Sequence, residues 1–327
     1  MIELGKFEKY LIEEFFDDYR AGAMTQRTFT RRVAFITGSM ATASAAMLLV
    51  GCTPDEVPGS NDPMPSPEGT SAATGTGSAA AADGAVPGAK SPLSVPEGVP
   101  GLTTATVRFS SGGTEISAYL ARPESGAAGP AVLICHENRG LVPHIQDVAR
   151  RFALEGYAAL APDLLSREGG TASLNADAVP GALTRAGAQR HLADFASAFS
   201  YLQSQDFVDP GRIAMNGYCF GGGITWQAAT EFPGLKATAA FYGPAPDLDK
   251  VSAIRAAVFG VYAERDQRIT GAMPALRDAL ESHNIRHQLT VYPGVDHAFH
   301  NDTGNRYEQA QASAAWGDTL AWFRQHV

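Results

Sequence analysis

The residues with the clearest capacity for chemistry lie in the run 217–223, Gly-Tyr-Cys-Phe-Gly-Gly-Gly. A predicted strand, 212–216, precedes this run, and a predicted helix, 222–231, follows it. The pattern Gly-x-nucleophile-x-Gly between a strand and a helix is typical of a nucleophile elbow, because only glycine fits the crowded positions of so tight a turn. A cysteine there lies at a helix N-terminus, where the dipole favours a thiolate. We predict that Cys219 is a nucleophile; the competing interpretation is a glycine-rich turn around a buried, inert cysteine.

A thiol nucleophile needs a base, and the base needs a group that orients it. In hydrolases with this kind of turn the chain order is nucleophile, acid, base. Asp266 follows a predicted strand, 257–262, and His297 lies in the loop after the predicted strand 287–292. The sequence therefore predicts a triad of Cys219, His297 and Asp266. Three neighbouring residues compete for the acid and base roles: Glu264, Asp296 and His300.

A further carboxylate, Glu137, follows the apolar run 131–135 in the segment Cys-His-Glu-Asn-Arg-Gly at 135–140. A strand so uniformly apolar is typical of one buried on both faces. The loop after such a strand supplies an oxyanion-hole amide in this kind of enzyme. We predict that Glu137 lies beside Cys219 and exchanges a proton with the thiol; the alternative is a surface carboxylate in a polar turn.

The elements that must position these residues alternate along the chain from 101 to 327. The predicted strands are 104–109, 116–121, 131–135, 157–161, 212–216, 237–242, 257–262 and 287–292, and the predicted helices are 145–155, 188–203, 222–231, 273–282 and 307–325. This alternation predicts the α/β class, with a mostly parallel central sheet and helices on both faces. In such sheets the chemistry gathers at the carboxyl ends of the strands.

The overall charge and the cysteine content exclude several functions. The net charge of the 327 residues is −9, whereas a nucleic-acid-binding protein needs a basic surface to replace phosphate counterions. The three cysteines contain no C-x-x-C pair, so neither a disulfide framework nor a zinc or redox motif is indicated. We expect a small-molecule partner and no nucleic acid.

The N-terminal segment 1–52 has the pattern of an export signal. Residues 1–30 have the spacing of an acidic amphipathic helix, Arg31-Arg32 follow, and residues 33–50 carry no charge. The segment around the arginines resembles a twin-arginine motif, and Leu-Val-Gly-Cys at 49–52 resembles a bacterial lipobox, whose cysteine becomes the lipidated first residue of the mature protein. We predict export to the periplasm or cell envelope with a lipid anchor at Cys52; an uncleaved membrane anchor and a soluble helix are the alternatives.

Residues 53–100 have the composition of a linker. They contain 9 of the 20 prolines, 7 glycines and no aromatic residue. Such a segment cannot bury enough apolar surface to offset its chain entropy. We therefore predict a disordered tether over 53–100 and a catalytic domain over 101–327.

Four motifs resemble those of the dienelactone hydrolases, which are cysteine members of the α/β-hydrolase fold. They are Gly-Tyr-Cys-Phe-Gly-Gly at 217–222, His-Glu-Asn-Arg-Gly at 136–140, Pro-Asp-Leu at 162–164 and Asp-His-Ala-Phe at 296–299. The resemblance covers nearly all of 101–327. It implies that Cys219 is the nucleophile, that His297 is the general base and acid oriented by Asp266, and that Glu137 pairs with the resting thiol.

The same resemblance implies the groups that bind the substrate. The backbone N–H groups of Phe220 and Asn138 would form the oxyanion hole, and Arg167 matches an arginine that holds a substrate carboxylate through two hydrogen bonds. The family's second substrate arginine is replaced here by Asn301. The reaction class is therefore expected to persist while the substrate differs from dienelactone.

The sequence as a whole predicts a hydrolase of carboxylic esters or lactones that works through a thioester on Cys219 and needs neither a metal nor an organic cofactor. An esterase or acyltransferase acting on another envelope substrate is an alternative within the same chemistry. A non-catalytic ligand-binding protein with a hydrolase fold is the alternative from a different class.

Overall fold

The computed structural model describes residues 4–52 and 84–327, and within them eight strands form one sheet. The strands are β1 (Leu102–Ser111), β2 (Thr114–Pro123), β3 (Gly129–Cys135), β4 (Ala158–Pro162), β5 (Val208–Tyr218), β6 (Ala237–Phe241), β7 (Ala257–Ala263) and β8 (His287–Tyr292). Their spatial order is β1-β2-β4-β3-β5-β6-β7-β8. The β1–β2 and β2–β4 pairs are antiparallel, and every other pair is parallel.

Helices cover both faces of this sheet. The helices of the described residues are α1 (Lys6–Arg20), α2 (Gln26–Thr37), α3 (Met40–Leu49), α4 (Pro143–Leu154), α5 (Val179–Ala186), α6 (Ala188–Gln203), α7 (Phe220–Glu231), α8 (Gln267–Thr270), α9 (Met273–Ser282) and α10 (Gln309–His326). Helices α4, α6, α7, α9 and α10 pack on the sheet, whereas α1, α2 and α3 pack on other helices. Helices α4 and α10 share one face, where Phe152 packs on Trp316 with ring centroids 4.5 Å apart. Helices α6 and α7 pack together against β5 and β3. The predicted α/β-hydrolase fold is confirmed.

The sequences of the central strands are continuous apolar runs because both faces of these strands are covered. Residues 131–135 of β3 and all of β6 and β7 are buried. Burial of each large aliphatic side chain contributes about 1.5–3 kcal/mol, so these strands fix the framework whose carboxyl ends carry the site. The predicted strands 104–109 and 116–121 correspond to β1 and β2, which form an antiparallel hairpin.

The single helix predicted over residues 1–30 is wrong: α1 and α2 divide that segment. The chain turns between them, and Thr25 caps α2 by accepting a hydrogen bond from the Thr28 N–H at 3.2 Å. A second break separates α2 from α3 at Gly38, whose φ of 83° ends α2. A threonine N-cap begins a helix, and a glycine with a positive φ ends one. These local signals divide the segment into separate helices although its amphipathic pattern continues.

Among the described residues, no single helix is both long and apolar enough to cross a membrane. Helices α2 and α3 reach that length and composition only as a pair, and they are bent by 107° relative to each other.

The predicted tether 53–100 needs a second correction, because residues 84–100 pack on the domain. Val95 is buried, and its N–H donates to Asp147 at 2.6 Å. Glu97 accepts hydrogen bonds from Arg150 at 2.5 Å and from the Tyr119 hydroxyl at 2.8 Å. The composition of this proline-rich segment predicted disorder, but hydrogen bonds to polar side chains of the domain hold it in place. Residues 53–83 of the predicted tether lie outside the described residues.

The close approach of α7 to β3 gives a stability prediction. A Cβ at Gly221 would lie 2.4 Å from the Cys135 carbonyl oxygen, whereas a Cβ at Gly317 in α10 would meet nothing within 4 Å. Gly221→Ala should therefore lower the free energy of unfolding by about 1–3 kcal/mol through overpacking. Gly317→Ala, the matched control, should raise it by about 0.5–1 kcal/mol because alanine favours a helix interior. Urea denaturation of both variants measures the difference, and equal effects would contradict the steric argument.

Candidate active site

The turn between β5 and α7 holds Cys219 in a backbone conformation that residues with a side chain rarely adopt. Its φ is 57° and its ψ is −120°, immediately before the first residue of α7. The turn is tight because a Cβ at Gly217 would lie 2.2 Å from the Gly221 carbonyl oxygen. Strain of this kind costs on the order of 1–3 kcal/mol and persists only where the surroundings enforce it. The geometry is that of the predicted nucleophile elbow.

The loops after β7 and β8 bring Asp266 and His297 to the same edge of the sheet. The His297 Nδ1 atom and the Asp266 Oδ2 atom are 2.6 Å apart, and both side chains are buried. The Cys219 sulfur and a ring nitrogen of His297 lie within 4.8 Å of each other, and the Tyr10 hydroxyl lies 3.4 Å from both the sulfur and Nε2. A carboxylate on Nδ1 leaves Nε2 facing the thiol, which is the arrangement that lets an imidazole accept a thiol proton.

The three residues that competed for the acid and base roles lie elsewhere. Asp296 is at the surface, where it pairs with Arg265 at 3.3 Å. Glu264 accepts a hydrogen bond from the Gly294 N–H at 2.7 Å. His300 is buried and stacks on the Tyr218 ring with centroids 5.2 Å apart.

Glu137 lies near Cys219 but binds a different partner from the one expected. Its Oε2 atom accepts a hydrogen bond of 2.6 Å from the Asn301 side-chain amide. The Asn301 Oδ1 atom in turn accepts from the Thr303 N–H at 3.1 Å. Asn301 therefore fixes Glu137 in place, and the expectation that Glu137 pairs with the resting thiol is corrected. Glu137, Asn301 and Cys219 still line the same small cavity.

The two predicted oxyanion-hole residues flank the thiol. Phe220 is the first residue of α7 and directly follows Cys219. Asn138 lines the cavity at Cys219, and its side-chain amide donates to Glu14 at 3.3 Å. The use of their N–H groups to bind an oxyanion stays a prediction.

Arg167 is not brought to this cavity, contrary to expectation. One guanidinium nitrogen donates to both oxygens of Asp194, at 2.7 and 2.6 Å, and another donates to the Ser111 carbonyl at 2.9 Å. Asp194 is fully buried. Because a buried carboxylate left without its partner is strongly destabilising, Arg167 has a structural role in this conformation.

Two residues of α1 that sequence reasoning did not assign to the site contact Cys219 and His297 directly. The Tyr10 hydroxyl lies 3.4 Å from the Cys219 sulfur and 3.4 Å from His297 Nε2. The thiol donates to Glu14 Oε2 at 3.4 Å, and Glu14 Oε1 lies 3.7 Å from His297 Nε2. The available signal was a carboxylate, Glu14, one helical turn after Tyr10 on the otherwise apolar stripe of α1.

Two arginines at the same edge of the sheet, Arg268 and Arg306, offset the negative charge of the carboxylates at the site. The Arg268 guanidinium lies 4.6 Å from the Tyr10 ring centroid and 3.6 Å from Asp266. Arg306 pairs with Asp18 of α1 at 2.9 Å. Burial alone would raise the pKa of Glu14, but the charges of His297, Arg268 and Arg306 outweigh it, and the pKa of Glu14 is lowered.

The same balance lowers the pKa of Asp266. Burial acts to raise it, whereas the charge of His297, its hydrogen bond and the Arg268 guanidinium act more strongly to lower it. Asp266 is therefore a carboxylate that holds the Nδ1–H of His297.

The Cys219 thiol is neutral in this conformation. Burial raises the pKa of Cys219 well above its ordinary value, and the negative charges of Glu14 and Glu137 raise it further. The hydrogen bonds from Tyr10 and from the Phe220 N–H act in the opposite direction but do not overcome the burial. The thiol would therefore have to give up its proton in any reaction in which the sulfur acts as a nucleophile.

Two groups of side chains within the described residues have the spacing of metal ligands. Glu14, Cys219 and His297 form one, at the site itself, with Arg268 close by. His144, Asp147 and Asp302 form the other. In this second group Arg151 donates to Asp147 at 2.5 Å and to Asp302 at 2.9 Å, so its guanidinium already supplies the cation.

The charge of Glu14 gives a prediction for the pH dependence of Cys219 reactivity. Glu14→Gln removes a negative charge that raises the pKa of Cys219, so the thiolate forms at lower pH. The rate of iodoacetamide labelling of the Cys219 peptide, measured by mass spectrometry across pH, should rise at a lower pH than in the unsubstituted protein.

Glu13→Gln is the matched control, because the Glu13 carboxylate faces Lys9 at 3.7 Å. Its labelling profile should match that of the unsubstituted protein. An unchanged or raised midpoint in Glu14→Gln would contradict the electrostatic role assigned to Glu14.

Comparison with known proteins agrees with this geometry. The profile of the Dienelactone hydrolase family matches residues 116–327. The "Putative carboxymethylenebutenolidase" of Salmonella typhi is 36% identical over 231 residues, which cover 66% of this chain and 85% of that protein. Its namesake from Escherichia coli K12 is 35% identical over 231 residues, with 66% and 84% covered. The crystal structure of the "Putative Dienelactone Hydrolase" from Klebsiella pneumoniae has a TM-score of 0.65 and 31% identity, and the match covers 69% of this chain and 99% of that one. This chain belongs to the dienelactone hydrolase family.

Proposed function

We propose that the protein hydrolyses carboxylic esters or lactones through a thioester on Cys219. The observation that carries this proposal is the nucleophile turn at Cys219, with the paired His297 and Asp266 at the same sheet edge. The family membership supports a hydrolase, and the names of the relatives point to lactones as one substrate class.

In the proposed first step, the Cys219 sulfur attacks the ester carbonyl carbon while His297 Nε2 accepts the thiol proton. The Asp266 carboxylate stabilises the imidazolium that forms. Negative charge develops on the carbonyl oxygen, and the N–H groups of Phe220 and Asn138 bind it. The carbonyl then re-forms, the bond to the alcohol or enol oxygen breaks, and that oxygen takes the proton from His297.

In the second step, a water molecule donates a proton to His297 Nε2 and attacks the thioester carbonyl. The second tetrahedral intermediate collapses, the carbon–sulfur bond breaks, and the sulfur recovers its proton from His297. The carboxylic acid leaves and the neutral thiol is restored. Every proton in this cycle has an assigned side chain, so the proposal requires no cofactor or metal.

The substrate of this site is proposed to differ from dienelactone. Asn301 stands where the family carries a second substrate arginine, and its amide is occupied by Glu137. Arg167 is occupied by Asp194. An esterase or acyltransferase that acts on another envelope substrate fits these differences.

One observation favours a second candidate, a non-catalytic binding protein. The cavity at Cys219 has a volume of about 30 Å³, far below the roughly 300–1,000 Å³ typical of small-molecule sites. A permanently closed site would not turn over an ester.

Kinetics of the full chain distinguish these candidates. The assay uses a panel of p-nitrophenyl esters and lactones that includes dienelactone, and it identifies the substrate that the unsubstituted protein prefers. On that substrate Cys219→Ala should lower kcat/KM by roughly a thousandfold or more, because both chemical steps require the sulfur. Cys135→Ala, at a buried cysteine that ends β3, is the matched control and should retain most of the rate. The absence of any turnover that depends on Cys219 would favour the binding protein.

We also propose that the protein is exported to the cell envelope and anchored by a lipid on Cys52. The supporting observation remains the sequence pattern of 31–52. In the described conformation both members of the arginine pair, Arg31 and Arg32, form ion pairs with Asp177. Export machinery that reads these arginines would therefore have to displace Asp177.

Fractionation of the host tests the export proposal. The double substitution Arg31→Lys and Arg32→Lys should leave the protein in the cytoplasm, because the paired guanidinium groups are the proposed signal. Asp177→Asn removes the same ion pairs and leaves the arginines intact, so it should be exported normally. Equal localisation of both variants would contradict the proposal.

A further inference from the structure

We propose that α1 is an inhibitory helix: it fills the space in which a substrate must lie, and it keeps Cys219 closed until it leaves. The inference rests on the proposed ester-hydrolase function. Helix α1 lies outside the family match, which begins at residue 116. It is therefore an addition to the catalytic framework.

The contacts of α1 are made with the reacting atoms themselves. The Tyr10 hydroxyl contacts both the Cys219 sulfur and His297 Nε2, at 3.4 Å each. It therefore contacts both of the groups between which the thiol proton must pass. Glu14 accepts the hydrogen bond of the thiol from the other side, and Cys219 is only 2% exposed.

The remaining volume excludes a substrate from this conformation. The cavity of about 30 Å³ at Cys219 corresponds to roughly one water molecule. A larger space of about 720 Å³ opens beside α1 and reaches His297, but Cys219 is not part of its lining. An ester carbonyl can reach the sulfur only when Tyr10 and Glu14 have moved.

The docking of α1 combines a buried apolar face, which includes Leu11, Ile12 and Phe15, with ion pairs at the rim. Phe7 packs on Phe220, the residue next to the nucleophile, with ring centroids 5.1 Å apart. Asp18 pairs with Arg306 at 2.9 Å, and Asp17 lies 3.6 Å from Arg268. Partly exposed ion pairs of this kind contribute modest free energy. The ion pairs are the part of the docking that charge changes can weaken, and the apolar burial is the part that holds α1 in the closed state.

Displacement of α1 would also activate the thiol. The two largest causes of the raised pKa of Cys219 are its burial and the charge of Glu14, and α1 contributes to the first and carries the second. The positive groups of the catalytic edge, Arg268 and Arg306, would remain. Access and thiolate formation would therefore increase together.

The position of α1 in the chain connects inhibition with the proposed processing. Helices α1, α2 and α3 all precede Cys52, so cleavage before Cys52 would remove the inhibitory helix together with the export signal. Export and activation would then be one event.

The test uses the full chain with Asp17→Arg and Asp18→Arg, which places like charges opposite Arg268 and Arg306. Asp278→Arg and Glu281→Arg make the same change on the exposed surface of α9 and serve as the matched control. Two rates are measured: iodoacetamide labelling of Cys219, and ester hydrolysis dependent on Cys219. If the open state is about 0.1–10% populated, opening it should raise both rates by roughly 10- to 1,000-fold, with no change in the control.

The two readouts separate failure of this inference from failure of the proposed function. Fast labelling without hydrolysis would support the inhibitory helix and overturn the hydrolase. Hydrolysis that depends on Cys219 and is equally fast in all three proteins would overturn the inhibitory helix and leave the hydrolase standing. A fall in hydrolysis in the Asp17/Asp18 variant would place α1 within the working site and would also overturn the inference.

Circular dichroism establishes that the variants are folded. Should the double variant not fold, Asp18→Asn weakens the Arg306 pair without introducing repulsion, and a smaller rise in both rates is expected. Unchanged rates in a folded Asp18→Asn variant would then overturn the inference.

Discussion

The left-handed backbone of Cys219 is the constraint on which the site depends. Glycine is required at 217 because a Cβ there would strike Gly221 of α7, and at 221 because a Cβ there would strike the end of β3. The cysteine between them takes the strained conformation. The strain places the thiol at the carboxyl edge of the sheet and at the N-terminus of α7. Because β5, β6, β7 and β8 are parallel, the loops that carry Asp266 and His297 end at that same edge.

A second constraint is the charge balance of a buried site. Three ionisable groups, Glu14, His297 and Asp266, are buried close together, and Arg268 and Arg306 beside them compensate the carboxylates. Burial and the charges of Glu14 and Glu137 raise the pKa of the Cys219 thiol, which favours its neutral form. A neutral thiol is a poor nucleophile, so this conformation favours an unreactive Cys219.

The positions of the strand ends and of the three site residues could be predicted from the sequence because they depend on local patterns. These patterns are apolar runs, glycines at fixed spacing, and polar residues just after a strand. The order of Cys219, Asp266 and His297 along the chain was enough to place them on one edge. The prediction that Arg167 binds substrate was wrong for this conformation because its partner, Asp194, lies in a helix 27 residues away. No local sequence pattern indicates such a pair.

The N-terminal region also shows that contacts between distant parts of the chain cannot be predicted from local patterns. The amphipathic stripe of residues 1–30 correctly indicated helix, but the surface that it covers is defined only by the tertiary structure. Glu14 and Tyr10 meet Cys219 across more than 200 residues of chain. Residues 84–100 were similarly predicted as tether because composition does not reveal partners such as Asp147 and Arg150.

The most direct test of the account is to look for the acyl group on the sulfur. The full chain is mixed with a p-nitrophenyl ester, quenched in acid within the first turnovers, and digested, and the peptides are examined by mass spectrometry. The account predicts an acyl adduct on the Cys219 peptide, sensitive to hydroxylamine as a thioester is, and absent in His297→Ala. Ester turnover with no adduct on Cys219, or with the adduct on another residue, would contradict it.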